Sequence, residues 1–479
     1  MPSIKKILIA NRGEIAVRVI RTAKRLGIKT VAVYSDADKD SLYVRLADEA
    51  FWIGPPEPRL SYLDQDKILQ ACEETKADAV HPGYGFLSEN AEFAEKLKSK
   101  GIHFLGPKPD SIRAMGDKIG SRLLVAKFGV PVVPGYEGND QSMEKFQSEA
   151  KKIGFPIMAK ASAGGGGKGM RRVDSFEELE SSILSAKREA LSAFGDDRIL
   201  LEKYILNPRH VEFQVFGDQH GNVIHLHERD CSLQRRHQKV VEETPAPRFS
   251  KELKAKMAEA AVQAAKSVQY EGAGTVEFIL GESGEFYFLE MNTRLQVEHP
   301  VTEMTTGLDL VELQIRVAEG EKLPSAPEQK GHAIEVRIYA EDPSNHFLPS
   351  IGKIHSARFP EGEGIRVDSG IVSGSEISLY YDPMIAKLIV WAPTRSEAID
   401  KMVEALKNTI VFGPITNTGF LRNLVDAEGF REGLVSTHFI AGNEKELLHQ
   451  NISAEEKLSF AAFASSLKTV SDPWKEASV

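Results

Sequence analysis

The chain has 479 residues, more than one ordinary hydrophobic core serves, so two to four lobes are expected. Its 69 acidic against 60 basic residues leave a net charge of −9, which argues against a general nucleic-acid binder. No apolar run approaches the roughly 20 residues of a membrane span, and two distant cysteines, Cys72 and Cys231, suggest no disulfide framework and fit a reducing compartment. The opening MPSIKKILIANRGE enters a strand within a few residues and leaves no room for a signal or transit peptide. The cytoplasm is therefore the expected location, although an organelle protein without its leader would read the same.

In chain order, Lys6 to Ala10 reads as a strand, Asn11 to Gly13 as a turn, and Glu14 to Leu26 as a helix through Ile15, Val19, Ala23 and Leu26, stopped by Gly27. Thr30 to Tyr34 is the next strand. This βαβ unit has no GxGxxG after its first strand, so a doubly wound lobe without a dinucleotide site is expected. A helix over Leu63 to Thr75 and a strand at Ala79 and Val80 lead into HPGYGFLSEN, where Gly83 and Gly85 either let the backbone approach a ligand or form a plain turn. Pro107 to Asp117 reads as a connection and Lys118 to Phe128 as a helix. Pro131 and Pro134 then mark a boundary.

The segment 132–204 reads as a small separate lobe. Pro156 to Lys160 is a strand, AGGGGKGM follows, and Arg171 to Val173 is another strand. Gly164, Gly166 and Gly169 match GxGxxG, but a strand is expected where that fingerprint needs a helix. A P-loop is excluded by Ser162 at the first glycine position and Gly169 after Lys168. What remains is a glycine-rich hairpin loop, either closing over phosphates through its N–H groups or lying free on the surface. Residues 205–449 form the largest segment, rich in strands. It holds ERDCSLQRRHQK, whose Arg235, Arg236, His237 and Lys239 suit an anionic ligand or a solvated basic face. Cys231 reads as a small buried side chain. Residues 450–479 read as a helical tail with Phe460 and Phe463.

The densest signal is GEFYFLEMNTRLQVEHP from Gly284. Period two places Phe286, Phe288, Glu290 and Asn292 on one face of a strand, and Thr275 to Leu280 reads as its partner. With a loop over Glu282 to Glu285, Glu277 lies across from Glu290. Facing carboxylates repel unless a hard cation joins them, and Mg²⁺ takes such oxygen ligands. The alternative is a solvated hairpin whose carboxylates never meet.

Six motifs, KILIANRGEIAVRVIR, HPGYGFLSEN, AGGGGKGM, RDCSLQRRHQKVVEE, FLEMNTRLQVEHPVTE and YDPMIAKLI, occur in this order over residues 4 to about 445. Together they resemble the biotin carboxylase component of biotin-dependent carboxylases, within the ATP-grasp enzymes. The resemblance implies a mixed α/β and α+β multi-lobe fold: a doubly wound parallel N-terminal α/β lobe (1–117), a helical connection (118–131), an ATP-grasp lid (132–204) and a C-terminal lobe (205–449). It implies ATP contacts from Lys118, Lys160, Gly165, Gly166, Glu202, Lys203, Ile205, His210, Gln234 and His237. Mg²⁺ or Mn²⁺, as two ions, would be held by Glu277, Glu290 and Asn292. Bicarbonate would lie on Lys239, Arg294 and the backbone near Gln296 and Val297, with Glu298 as general base. Arg337 would stabilise the enolate-like charge of biotin, and Tyr84 would touch biotin too. Arg18 and Arg21 lie where family members form a dimer, so a homodimer is expected. No lysine flanked by methionines, as in AMKM, occurs. Biotin would therefore arrive on a separate carboxyl carrier protein and pass to a carboxyltransferase, with no nucleic acid or membrane as partner. TNTGFLRNLV is closer to acyl-CoA or pyruvate carboxylase subunits than to the dedicated bacterial acetyl-CoA component. Two other readings remain: another ATP-grasp ligase with an amine acceptor, and a silent scaffold of a carboxylase complex.

Overall fold

The computed structural model describes residues 4–161, 170–236, 238–449 and 458. Its N-terminal sheet is parallel, in the order Glu49–Gly54, Lys29–Ser35, Lys6–Ile9, Ala79–His81, His103–Phe104. The helix Gly13–Arg25 buries Ile15, Ala16, Val19, Ile20 and Ala23, the three-to-four spacing that gives one apolar stripe. Gly27, at φ +75°, turns the chain out of it. The stretch read as a plain connection contains the helix Pro109–Gly116. Pro109 suits the first turn, where its missing N–H costs nothing, and Ile112 and Met115 bury one face.

A second sheet is antiparallel, in the order Gly135–Tyr136, Ile199–Lys203, Ile157–Ala161, Met170–Val173. The helices Met143–Ile153 and Phe176–Phe194 cover it over a core that includes Phe146, Ile157, Val173 and Ile183. The strand after the glycine-rich stretch is thus present. The stretch itself, with Gly164, Gly165, Gly166 and Gly169, lies outside the described residues.

The largest sheet has eight strands: Phe286–Asn292, Gly272–Leu280, Arg209–Gly217, Val223–Arg235, Gln238–Thr244, His332–Tyr339, Met384–Ala392 and Ile365–Ser369. Alternation separates its faces. Val211, Phe213 and Val215 pack with Val276 and Phe278 against the helix Lys251–Ser267. Ile334, Val336, Ile338, Leu388 and Val390 form a second core with the helices Arg395–Lys407 and Thr418–Asp426. The residues between them, including Glu212, Glu277, Arg337 and Lys387, turn to the opposite face. Toward the C-terminus the chain forms a short helix, Glu444–Leu447; Phe460 and Phe463 lie outside the described residues. No described helix is long and apolar enough to cross a membrane.

The hairpin pairs Glu277 with Glu290, as expected, but by a different route. Near the turn Leu280 faces Phe286 and Phe278 faces Phe288, one residue away from the simple count. A bulge at Leu289 then restores the register. It also corrects the expected face: Phe286 and Phe288 go with Met291 to the apolar core, while Glu290 and Asn292 line the cleft on the other side.

Candidate functional site

The polar face of the eight-stranded sheet meets the N-terminal lobe in a cleft of about 900 Å³. Asn11 to Glu14 and Tyr84 to Phe86 form one wall; His210, Lys239, Glu277, Glu290, Arg294, Glu298 and Arg337 form the other. The Gly83 turn holds the first wall in place. Asn11 Nδ2 donates to the Pro82 and Tyr84 carbonyls at 2.7 and 2.8 Å. Gly83 has φ +62°, and a Cβ there would lie 2.7 Å from Asn11 Nδ2. The Tyr84 hydroxyl donates to Glu14 Oε1.

Lys239 is the centre of the opposite wall. Its ammonium donates to Glu212 at 2.5 Å, Glu277 at 2.8 Å and Glu298 at 2.7 Å. Burial alone would lower its pKa, but Glu212, Glu277 and Glu298 raise it well above the ordinary lysine value. Glu298 also accepts from Arg337 Nη2 at 3.0 Å. Burial would push its carboxyl up, yet Lys239, Arg337 and Arg229 hold it well below the usual range. Glu298 is therefore a fully ionised acceptor between two cations. It stands at the start of the helix His299–Thr306.

Glu277 accepts from Lys239, from Asn292 Nδ2 and from Gln296 Nε2, the last two at 2.8 Å each, and lies 2.7 Å from His210 Nε2. Its carboxyl is held well below the ordinary value: burial acts against this, and Lys239 and His210 outweigh it. Glu290 differs. It accepts no hydrogen bond among the described residues, and burial and then the facing Glu277 raise its carboxyl. Two carboxylates and the Asn292 amide oxygen form an all-oxygen donor set in which one member lacks a partner, and this fits a Mg²⁺-type ion. Arg294 reaches Glu89 Oε2 at 3.0 Å and Asn292 Oδ1 at 3.1 Å.

The structure brings together Tyr84, Lys118, His210, Gln234, Lys239, Glu277, Glu290, Asn292, Arg294, Gln296, Val297, Glu298 and Arg337 around one cleft. It does not bring Lys160, Glu202, Lys203 and Ile205 to that lining. Lys160 instead pairs with Glu202 across two strands of the smaller sheet, and Arg122 joins from the other side. Together they hold the buried Glu202 carboxyl below its ordinary value against burial. His237, Gly165 and Gly166 lie outside the described residues. Arg18 is not available at a surface: it is buried and binds Glu303 and Asp309 at 2.7 and 2.8 Å within the chain. Arg21 is exposed.

Sequence reasoning missed the support beneath these groups. Arg229 is fully buried and donates to Glu212 at 2.6 Å, Gln214 at 2.8 Å, Thr302 at 3.0 Å, Gln296 at 3.1 Å and Thr275 at 3.2 Å. Glu242 accepts from Arg337 Nε at 2.7 Å. Glu14, Glu335 and Lys387 are buried as well. For Glu212, Glu335 and Lys387 the signal in the chain was a charge within an apolar strand, in HVEFQVFG, HAIEVRIY and MIAKLIV, while Arg229, Glu242 and Glu14 lie inside RDCSLQRRHQKVVEE and KILIANRGEIAVRVIR without standing out there.

Three family models match consecutive parts of the chain. They are the biotin carboxylase N-terminal domain over residues 3–112, the ATP-binding domain of the carbamoyl-phosphate synthase L chain over 117–326, and the biotin carboxylase C-terminal domain over 335–442. The mitochondrial methylcrotonoyl-CoA carboxylase alpha subunit of Oryza sativa subsp. japonica is 55% identical over 457 residues, covering 94% of this chain and 62% of that protein. One pyruvate carboxylase subunit of Methanothermobacter thermautotrophicus is 52% identical over 438 residues, covering 91% of this chain and 89% of that one. A solved biotin carboxylase domain dimer of Hydrogenobacter thermophilus 2-oxoglutarate carboxylase, in complex with MgADP, ADP and bicarbonate, superposes with TM-score 0.86 at 47% identity. That match covers 94% of this chain and all of that one. The chain spans 62–68% of the length of the methylcrotonoyl-CoA carboxylase alpha subunits from rice, Dictyostelium discoideum and Glycine max.

Proposed function

The chain belongs to the biotin carboxylase family of ATP-grasp enzymes, and on that premise we propose that it carboxylates carrier-borne biotin with bicarbonate and ATP. The observation that carries the reading is the cationic clasp of Lys239 and Arg337 around an ionised Glu298, beside the facing carboxylates Glu277 and Glu290. Lys239 and Arg294 are the anion donors, and the fork of an arginine suits a planar carboxylate-like substrate. An arriving bicarbonate shares Lys239 with Glu298. This lifts the Glu298 carboxylate back toward ordinary basicity, and it accepts the bicarbonate proton. The freed oxygen attacks the γ-phosphorus of ATP as the bond to the β-phosphate oxygen breaks, giving carboxyphosphate and ADP. Cleavage of the bond between the carbonyl carbon and the phosphate oxygen then releases CO₂ and phosphate. That phosphate takes the biotin ureido proton, and the nitrogen bonds to CO₂ while Arg337 steadies the negative oxygen.

Glu277, Glu290 and Asn292 would hold Mg²⁺ or Mn²⁺, which supplies charge neutralisation at the nucleotide phosphates. Lys118, His210 and Gln234 line the same part of the cleft and are assigned to the nucleotide. The pairing of Lys160 with Glu202 supports a second nucleotide contact from the smaller sheet, with Lys203 and Ile205 beside it. Tyr84 is assigned to biotin. The proposed partners are a biotin carboxyl carrier, a carboxyltransferase and a second copy of this chain, in the cytoplasm.

ADP release is measured with bicarbonate and free biotin varied. It is expected to need both, and Glu298→Gln is expected to abolish it while ADP binding persists. Release without biotin when an amine is supplied supports the ligase reading instead. Absence of any turnover in a protein that still captures a biotinylated partner supports the scaffold reading.

A further inference from the structure

Lys387 has 0% exposure, in the middle of the strand Met384–Ala392. A lone lysine there carries a desolvation cost that an apolar residue would avoid. Its position explains its use. Lys387 stands directly across from Arg337 in the neighbouring strand. Arg337 grips the Glu298 carboxylate, and Lys387 donates to the main-chain carbonyl of Val297 at 2.8 Å. Two adjacent cations thus hold two successive residues, one by its side chain and one by its backbone. Lys387 Nζ also lies 3.2 Å from Glu14 Oε2, and the other oxygen of Glu14 accepts from Tyr84. Gly370 permits this approach of the N-terminal lobe, since a Cβ there would fall 2.7 Å from Glu14 N.

We infer that Lys387 is a positioning residue of the anion site. Holding the Val297 carbonyl fixes the plane of the Val297–Glu298 peptide. Through Glu14, Lys387 sets that peptide against the Tyr84 wall of the cleft. The inference rests on the proposed biotin carboxylase activity. A residue present only to balance Glu14, Glu335 and Asp368 would affect folding, but would not single out one substrate.

Steady-state ADP release by the full chain, with bicarbonate and ATP varied separately, tests it. Lys387→Met is expected to raise the bicarbonate KM by about tenfold or more, the scale of losing one charged hydrogen bond, while the ATP KM stays within about twofold. Lys387→Arg, which keeps a donor for the Val297 carbonyl, is expected to recover most of that loss. The double variant Lys387→Met/Glu335→Leu removes a buried acid together with the cation. It guards against misfolding from unbalanced charge, and it is expected to show the same split. A bicarbonate KM within about twofold of the parent in either methionine variant overturns the inference, as does an equal rise in both KM values. A parent protein that releases no ADP in response to bicarbonate and biotin overturns the proposed function itself, and that result is visible without any variant.

Discussion

At the scale of single residues, the site is a set of buried charges whose environments push them apart. Burial raises the Glu14 carboxyl to about 7, with Lys387 opposing and Asp368 adding to the rise. Its native state therefore keeps a proton that the unfolded chain has released. The stability this contributes is complete below the unfolded carboxyl value and is lost as pH rises through 7. Glu14→Gln is expected to lose less stability between pH 5 and 8 than the parent, by up to about 3 kcal/mol, read from urea midpoints at each pH. Glu298 and Asp368 have the opposite sign. Both are held below their ordinary values against burial, Glu298 by Lys239 and Arg337 and Asp368 by Arg366 and Lys387. Their contribution is present above the unfolded value and fades as pH falls through the folded one, so acid unfolding draws on them. Arg229 carries the heaviest single load, with five acceptors on one buried guanidinium. Arg229→Met leaves Glu212 facing Glu298 and Glu277 with Lys239 alone, and a loss of about 3–5 kcal/mol is expected in chemical denaturation. Unchanged stability would show that Glu212 is already neutral in the parent.

At the scale of elements, the bulge at Leu289 decides which side chains reach the cleft. Deleting Leu289 removes the extra residue and leaves an unbroken ladder in which Glu290 still faces Glu277 and Asn292 still faces Thr275. Mn²⁺ binding followed by electron paramagnetic resonance is therefore expected to persist in the deletion, and its loss would show that the bulge itself shapes the donor set. In Leu289→Ala, which keeps the residue count, binding is likewise expected to survive, with a stability change below about 1 kcal/mol because this side chain is 42% exposed. The turn at Gly83 is the second such element. Gly83→Ala meets both a positive φ and the Asn11 amide, so a cost of more than about 1 kcal/mol is expected in thermal unfolding. Both devices are local, and each spends one unusual residue to aim several ordinary ones.

At the scale of the whole molecule, the cleft exists because the N-terminal lobe covers the charged face of the eight-stranded sheet. The helix Gly13–Arg25 contributes to that closure through Arg18, bound to Glu303 and Asp309. Arg18 thus joins parts of one chain, and the proposed dimer contact on this helix would fall to exposed groups such as Arg21 and Arg25. Sedimentation velocity is expected to give twice the 52.9 kDa chain mass. A particle of single-chain mass at micromolar concentration, with full activity, would remove the homodimer from the proposal.

Local pattern alone was enough for the first βαβ unit and the two strands flanking the glycine-rich stretch, because apolar spacing and turn residues act over a few positions; the pairing of Glu277 with Glu290 came out as expected only because the bulge at Leu289 cancels a one-residue offset at the turn. The motifs around Lys239, Arg294, Glu298 and Arg337 were legible for the same reason: each is a run of chemically distinctive residues close together in the chain. What lay beyond the sequence was the role of individual charges. Glu212 and Lys387 are single charges in apolar stretches, while Arg229 and Glu14 stand beside other polar residues in ERDCSLQRR and NRGE, and in neither setting does spacing say which partner each will meet. Their partners lie tens to hundreds of positions away, so only the packing of the N-terminal lobe onto the sheet could turn separate buried ions, each unfavourable alone, into one compensated network.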